Sequence, residues 1–257
     1  SIIIIIPPFL DILNTYNKGF SQSVLIKNSE LAGQVEQRQY GYAFCKTKLI
    51  LLMDDDIDIS IKDIKLLLKT FSKLPNKSCL SPNLEINRSL RRNYFIEYIK
   101  SLFLFSEINP KPGSIAKSCF PVPQRFKGSK NIVREVDWLA GGIMLINKKN
   151  LIKEKYFKFK GKAYCEDLIN SLLLKKNGIR LFITNQIYLK TPIQSYRDLN
   201  YKLFILYLIN DFKIRNYYRK LIKNKLSYLL IAYSFIFFSY HVTYIKRSIS
   251  KYANLNS

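Results

Sequence analysis

Leu49-Ile50-Leu51-Leu52-Met53-Asp54-Asp55-Asp56 is the stretch on which the fold turns. An unbroken apolar run of this length is the mark of a strand buried on both faces. The aspartates directly behind it repel one another, so a folded chain must compensate them. A divalent cation is one compensator. Mg²⁺ and Mn²⁺ prefer carboxylate oxygens and share them with substrate phosphates. The position fits as well, because ligands of open α/β sheets bind beyond the carboxyl ends of strands. The plainer alternative is a polar turn in which an aspartate caps the helix beginning near Ile61.

Working outward, Ser1 to Ile6 reads as a buried strand stopped by Pro7-Pro8, and Ser23 to Ile26 as a second, short one. Leu31 to Phe44 has helical character. Ile61, Ile64, Leu67, Leu68 and Phe71 share one face of a helix over Ile61 to Phe71. Cys79 to Leu84 reads as a strand and Tyr94 to Phe105 as an aromatic-rich helix. Asn109 to Lys130, rich in Pro and Gly, reads as a long loop. Strands over Val133 to Trp138 and Ile143 to Ile146 flank Gly141-Gly142. A helix over Glu166 to Lys176 ends at Asn177-Gly178, and Ile179 to Thr184 closes the sheet. This alternation predicts an α/β domain over residues 1–190. After Pro192 there is neither Gly nor Pro, and Tyr, Lys and apolar runs predict two or three helices in a basic, aromatic appendage over 191–257.

The 257-residue chain carries 42 Lys and Arg against 18 acidic residues, a net charge of +24, which favours anionic partners. Part of that excess is a residue bias toward Lys, Ile, Asn and Tyr. A 48% hydrophobic content excludes general disorder. Cys45, Cys79, Cys119 and Cys165 have no metal-ligand spacing, and a reduced, cytosolic setting is expected. Ile2 to Ile6 is too short, and lacks the basic leader, for a signal peptide. His241 is the only histidine, so acid–base chemistry falls to carboxylates.

Three separated segments belong together: Asp54-Asp55-Asp56 after a strand, Val136-Asp137-Trp138-Leu139-Ala140-Gly141-Gly142, and Cys165-Glu166-Asp167 opening a helix that ends in Lys175-Lys176-Asn177-Gly178-Ile179-Arg180-Leu181. In this order and spacing, over Val24 to Thr184, the chain resembles the family-two glycosyltransferases. Gly33-Gln34-Val35-Glu36-Gln37-Arg38 and Gly41 match that family's segment ahead of its D-x-D strand. The resemblance implies a GT-A-like, Rossmann-like mixed sheet flanked by helices. It implies a nucleotide-diphospho-sugar donor and a Mg²⁺ or Mn²⁺ cofactor. Asp56 would be the metal ligand, with Asp54 and Asp55 on the ribose and base side or holding the geometry. Asp167 would be the general base, although an acid at a helix start also serves as a cap. Gly141 and Gly142 would admit the backbone close to a sugar. Glu166 would orient the site or touch the acceptor, and Trp138 would offer the acceptor a ring or belong to the core. Arg38 would reach the diphosphate or form a salt bridge. The segment ahead of the aspartates is short for the family's nucleotide-binding half. Ser1 to Pro8 reads either as its first strand with a contracted second unit or as its second strand.

Leu226 to Ile245 is a 20-residue apolar stretch with Lys223 and Lys225 before it and Lys246 and Arg247 after it. The alternatives are an interfacial helix on an anionic leaflet, a membrane span, and a helix packed on the domain. The expectation is an inverting transferase, peripheral at the cytoplasmic face of a membrane. It would move a sugar to a hydroxyl of a glycan or lipid-linked acceptor in surface-polysaccharide synthesis. The rivals are a degenerate, basic membrane- or nucleic-acid-binding module and an aspartate-dependent phosphohydrolase. Scattered basic residues count against nucleic acid.

Overall fold

The computed structural model describes residues 2–6, 24–28, 33–54, 56–86, 94–107, 110–124, 132–152, 165–191 and 199–255. Asp55 and part of the expected 109–130 loop lie outside the described residues. Strands β1 (Ile2–Ile6) and β2 (Val24–Asn28) pair in parallel as a two-stranded sheet. Helix α1 follows over Gln34–Phe44, with Gly33 at its N-cap in a conformation that favours glycine (φ 135°). Next come β3 (Leu49–Met53), α2 (Ile61–Phe71), β4 (Ser78–Ile86) and α3 (Tyr94–Leu104). β5 (Val133–Val136), β6 (Ile143–Asn147), α4 (Glu166–Lys176) and β7 (Arg180–Thr191) complete the α/β part. Two helices, α5 (Tyr201–Leu221) and α6 (Leu226–Leu255), end the chain.

The main sheet has five strands in the order β3-β6-β4-β7-β5. β4 and β7 are parallel, and the other pairs are antiparallel. Apolar residues on both faces follow from helices on both sides. Leu80, Ile143, Leu145 and Phe182 pack with Leu67 of α2. Their alternating neighbours Cys79, Met144, Ile146, Leu181 and Ile183 pack with Leu174 of α4.

Two local expectations are corrected. Helix α2 is capped by Ser60, whose side chain accepts from Asp63 N, not by an aspartate of the triplet. β7 does not close the sheet at Thr184. It lies inside, between β4 and β5, and runs on to Thr191 after a register shift opposite Pro82. Pro82 has no N–H to donate, so an irregularity is the natural accommodation there. Asn185 and Gln186 sit in that irregularity and resemble a strand end.

The C-terminal helices share the core of the α/β part. Ile214 and Tyr218 of α5 are buried with Val35 of α1, Trp138, and Leu168 and Ile169 of α4. α6 reaches α3 through a stacked Phe103–Phe235 pair and α5 through Phe204–Tyr240, with ring centroids 4.7 and 3.6 Å apart.

Candidate functional site

Strand register assembles the site. Met53 at the end of β3 lies opposite Ile143 at the start of β6. The residues just outside that pair therefore meet, and Asp54 N donates to Gly142 O at 2.8 Å. This brings the Gly141-Gly142 turn against the first aspartate. Both glycines lie close under neighbouring side-chain tips, which a larger residue would displace. A Cβ on Gly142 would stand 2.8 Å from Ile57 Cδ1, and one on Gly141 would collide with Glu166 Oε1.

Arg38 on α1 ties the segments together. Its Nη2 donates to Asp54 Oδ1 at 2.8 Å and to Gly141 O at 3.0 Å, and its Nη1 donates to Glu166 Oε1. Arg38 and Glu166 are largely buried, with side chains 16% and 7% exposed. Burial opposes the guanidinium's charge, but the Glu166 and Asp54 carboxylates more than offset it, so its proton affinity rises above the ordinary arginine value. Its two terminal nitrogens are thus engaged within the protein. Arg38 organises the two acidic motifs, and reaching a diphosphate would require rearranging this clasp.

Asp56 is exposed at the tip of the same turn. Among the described residues, no three His, Cys, Asp or Glu side chains converge as a ready-made metal cage. Mg²⁺-type ions do not need one, since one or two carboxylates plus substrate phosphates suffice. A solvent-facing carboxylate beside a fixed Asp54 therefore fits such an ion. Trp138, by contrast, is buried. Its indole N–H donates to Val122 O at 3.1 Å, and its carbonyl accepts from Gln124 Nε2. Its ring forms part of the core under the turn and offers no open face. A cavity of about 260 Å³ beside Asp137, Lys175 and Tyr218 is lined by none of Arg38, Asp54, Asp56, Glu166 or Asp167.

Asp167 follows Glu166 in the first turn of α4 and accepts from Leu168 N at 2.9 Å. Burial and the neighbouring Glu166 push its carboxyl up to about 7, against partial relief from that hydrogen bond, Arg215 and Arg38. A carboxyl at this value is poised to exchange a proton near neutrality.

Sequence reasoning missed a second polar group behind this helix. Asp211 and Arg215 of α5 form a buried ion pair at 2.9 Å, and Asp211 also meets Cys165 in front of Glu166. The i, i+4 spacing was the available signal, but such pairs are common on exposed helix faces.

The raised carboxyl of Asp167 carries a stability cost with a definite pH dependence. Below about pH 4 the group is neutral in folded and unfolded chains alike. Above about pH 7 the folded chain must hold a desolvated charge. Asp167→Asn should therefore raise Tm by several degrees, up to roughly 10 °C, at pH 8.5 and leave it nearly unchanged at acid pH, as read by calorimetry.

No family model matches this chain. No curated protein matches it either. Among solved chains, 48 match in three dimensions. One is the crystal structure of GalNAc-T7 with UDP, GalNAc and Mn²⁺, at a TM-score of 0.50 and 15% identity over 72% of this chain. The match spans 35% of that chain, about a third of its length. At that identity the likeness concerns architecture. The mixed sheet with helices on both faces, together with this likeness, gives the protein a GT-A-like fold.

Proposed function

We propose that the protein is an inverting glycosyltransferase that moves a sugar from a nucleotide-diphosphate donor to a hydroxyl of a glycan or lipid-linked acceptor. The observation that carries this is the clasp of Arg38 on Asp54, Gly141 and Glu166, with Asp167 next in line. It gathers an exposed carboxylate, a glycine-lined turn and a carboxyl poised near neutrality at one end of the sheet. The GT-A-like fold supports a sugar-transferring reading, and GalNAc-T7, which shares that fold, is solved with UDP, GalNAc and Mn²⁺. Donor, acceptor and a role in surface-polysaccharide synthesis are proposals.

In this scheme Asp56 would hold Mg²⁺ or Mn²⁺ together with the donor diphosphate. Such an ion, when bound, neutralises charge on the departing phosphate. Asp54, with Asp55, keeps the ribose side of the site in shape, and Arg38 fixes Asp54. The acceptor hydroxyl attacks the anomeric carbon and its proton passes to the Asp167 carboxylate. A new C–O bond forms as the bond to the diphosphate breaks, with inversion at carbon. Gly141 and Gly142 leave room for the sugar, and Glu166 holds the first turn of α4 in place. A phosphohydrolase using Asp54 as nucleophile fits less well, because Arg38 already engages that carboxylate.

We further propose a peripheral position on the cytoplasmic leaflet. One side of α6 buries Leu229, Tyr233, Ile236 and Tyr240, while Leu230, Ile231, Phe237, Phe238, Val242 and Ile245 are exposed on the remainder. Leu226–Ile245 has the length and apolarity to cross a bilayer, with 17% of its apolar window buried. A helix apolar on all sides calls for a further apolar neighbour. From residue 212 onward the sequence has no Asp or Glu, and Lys223 and Lys225 are exposed at the head of α6. Two copies facing each other here would bring like charges together, whereas an anionic leaflet complements them.

Two experiments test these readings. Asp167→Asn should reduce sugar transfer by at least about 10³-fold while metal-dependent nucleotide binding persists, and the wild-type rate should climb through about pH 7 as the base ionises. Transfer at the wild-type rate in the variant would remove Asp167 as the base. In flotation with phosphatidylglycerol vesicles, Phe238→Asp should abolish the fraction that stays bound in 0.5 M salt (about three times the physiological ionic strength). Purely electrostatic adsorption would be fully salt-reversible and indifferent to this change.

A further inference from the structure

Behind the site, a buried polar cluster joins both C-terminal helices to the residue ahead of Glu166. Asp211 accepts from Arg215 Nε at 2.9 Å, from the Cys165 thiol at 2.9 Å and from the Tyr233 hydroxyl of α6. Arg215 also donates to Cys119 O at 2.8 Å and lies over the Phe120 ring, 4.0 Å from its centroid. Asp211 and Arg215 are 2% and 6% exposed. Stability alone is a poor account of such an arrangement, since a buried ion pair is often no better than apolar residues of the same volume. Its geometry points elsewhere. Cys165 is held in the left-handed region at φ 52°, which disfavours any residue with a Cβ. Glycine would sit there without cost, but glycine has no thiol to offer Asp211.

We propose that Asp211, Arg215 and Tyr233 are positioning residues for sugar transfer: they clamp Cys165 in its left-handed turn and thereby fix where α4 begins and where the Asp167 carboxyl stands. The proposal rests on the glycosyltransferase reading above. Cys165 is the last residue before Glu166 and Asp167, so a small rotation there swings both carboxyls. Misplacement of a reacting group by an ångström can cost two orders of magnitude in rate. The clamp also acts through charge. The charged groups around Asp167 are Glu166 on its own helix, Arg38 from α1, and Arg215 from α5, which Asp211 neutralises, with neutral Cys165 and Tyr233 alongside.

The test uses the intact chain, a panel of UDP-, GDP-, dTDP- and CMP-linked sugars with Mn²⁺, and release of the nucleotide as the readout. Asp211→Asn leaves Arg215 unopposed and should move the acid limb of the rate profile to lower pH. Arg215→Gln leaves Asp211 unopposed and should move it to higher pH. A merely structural role would lower both rates without opposite shifts. Tyr233→Phe keeps the ion pair and removes one hydrogen bond, so it guards against failure of the other two variants to fold. It should lower kcat about tenfold with donor KM unchanged. Shifts of the same sign, or no shift, together with wild-type kcat in Tyr233→Phe, would overturn the clamp. A wild-type protein that neither binds nor cleaves any nucleotide-sugar would instead overturn the transferase reading on which the clamp rests.

Discussion

One guanidinium holds the site together. Arg38 joins α1 to the end of β3, to the glycine turn before β6 and to the start of α4. Without it, Asp54 and the buried Glu166 would face one another as like charges in a poorly hydrated space, where repulsion is far stronger than in water. Losing one partner of a buried charge network typically costs about 3–5 kcal/mol, because the remaining charge is left uncompensated. The electrostatic problem posed by the aspartate triplet is thus met in part by a cation built into the protein. That leaves Asp56, the outermost described aspartate, as the carboxylate free to face a solvent ion. The division of labour follows from depth: the inner acid is fixed, and the outer one stays exposed.

The same logic extends to the far side of α4. Glu166 is gripped from the front by Arg38, and Cys165 is gripped from behind by Asp211. The first turn of α4 is therefore pinned on both flanks, and Asp167 sits in that turn with its carboxyl raised by burial. Low dielectric has two consequences here. It makes each ion pair strong, and it makes the Asp167 carboxyl readily protonated. The general base proposed here would gain driving force near neutral pH from such a place, at some expense in stability.

Much of the fold was legible in the sequence because local rules governed it. Helix α2 runs over the expected Ile61–Phe71, where apolar periodicity and a serine cap agree. β3 and α4 likewise match the apolar run and the Asn177-Gly178 stop. What escaped was non-local. β7 runs past the expected Thr184 because its ladder with β4 resumes at Tyr188, beyond an irregularity that no local pattern announces. The Arg38–Glu166 contact spans 128 residues, and only the assembled sheet reveals it. Trp138 was ambiguous because an aromatic ring serves a core and a sugar equally well, and packing by Leu168, Ile169 and Ile214 makes it core. Asp211 and Arg215 escaped because nothing in their i, i+4 spacing discloses burial.

The acids gathered around Arg38 are proposed to form a nucleotide-sugar site served by a divalent ion. The most direct measurement is a thermal-shift screen of the intact protein against nucleoside diphosphates with and without Mn²⁺. The account predicts that one nucleotide raises Tm only when Mn²⁺ is present, and that Asp56→Asn removes the increment. Nucleotide stabilisation that needs no metal and ignores Asp56, or no stabilisation by any nucleotide, would contradict it.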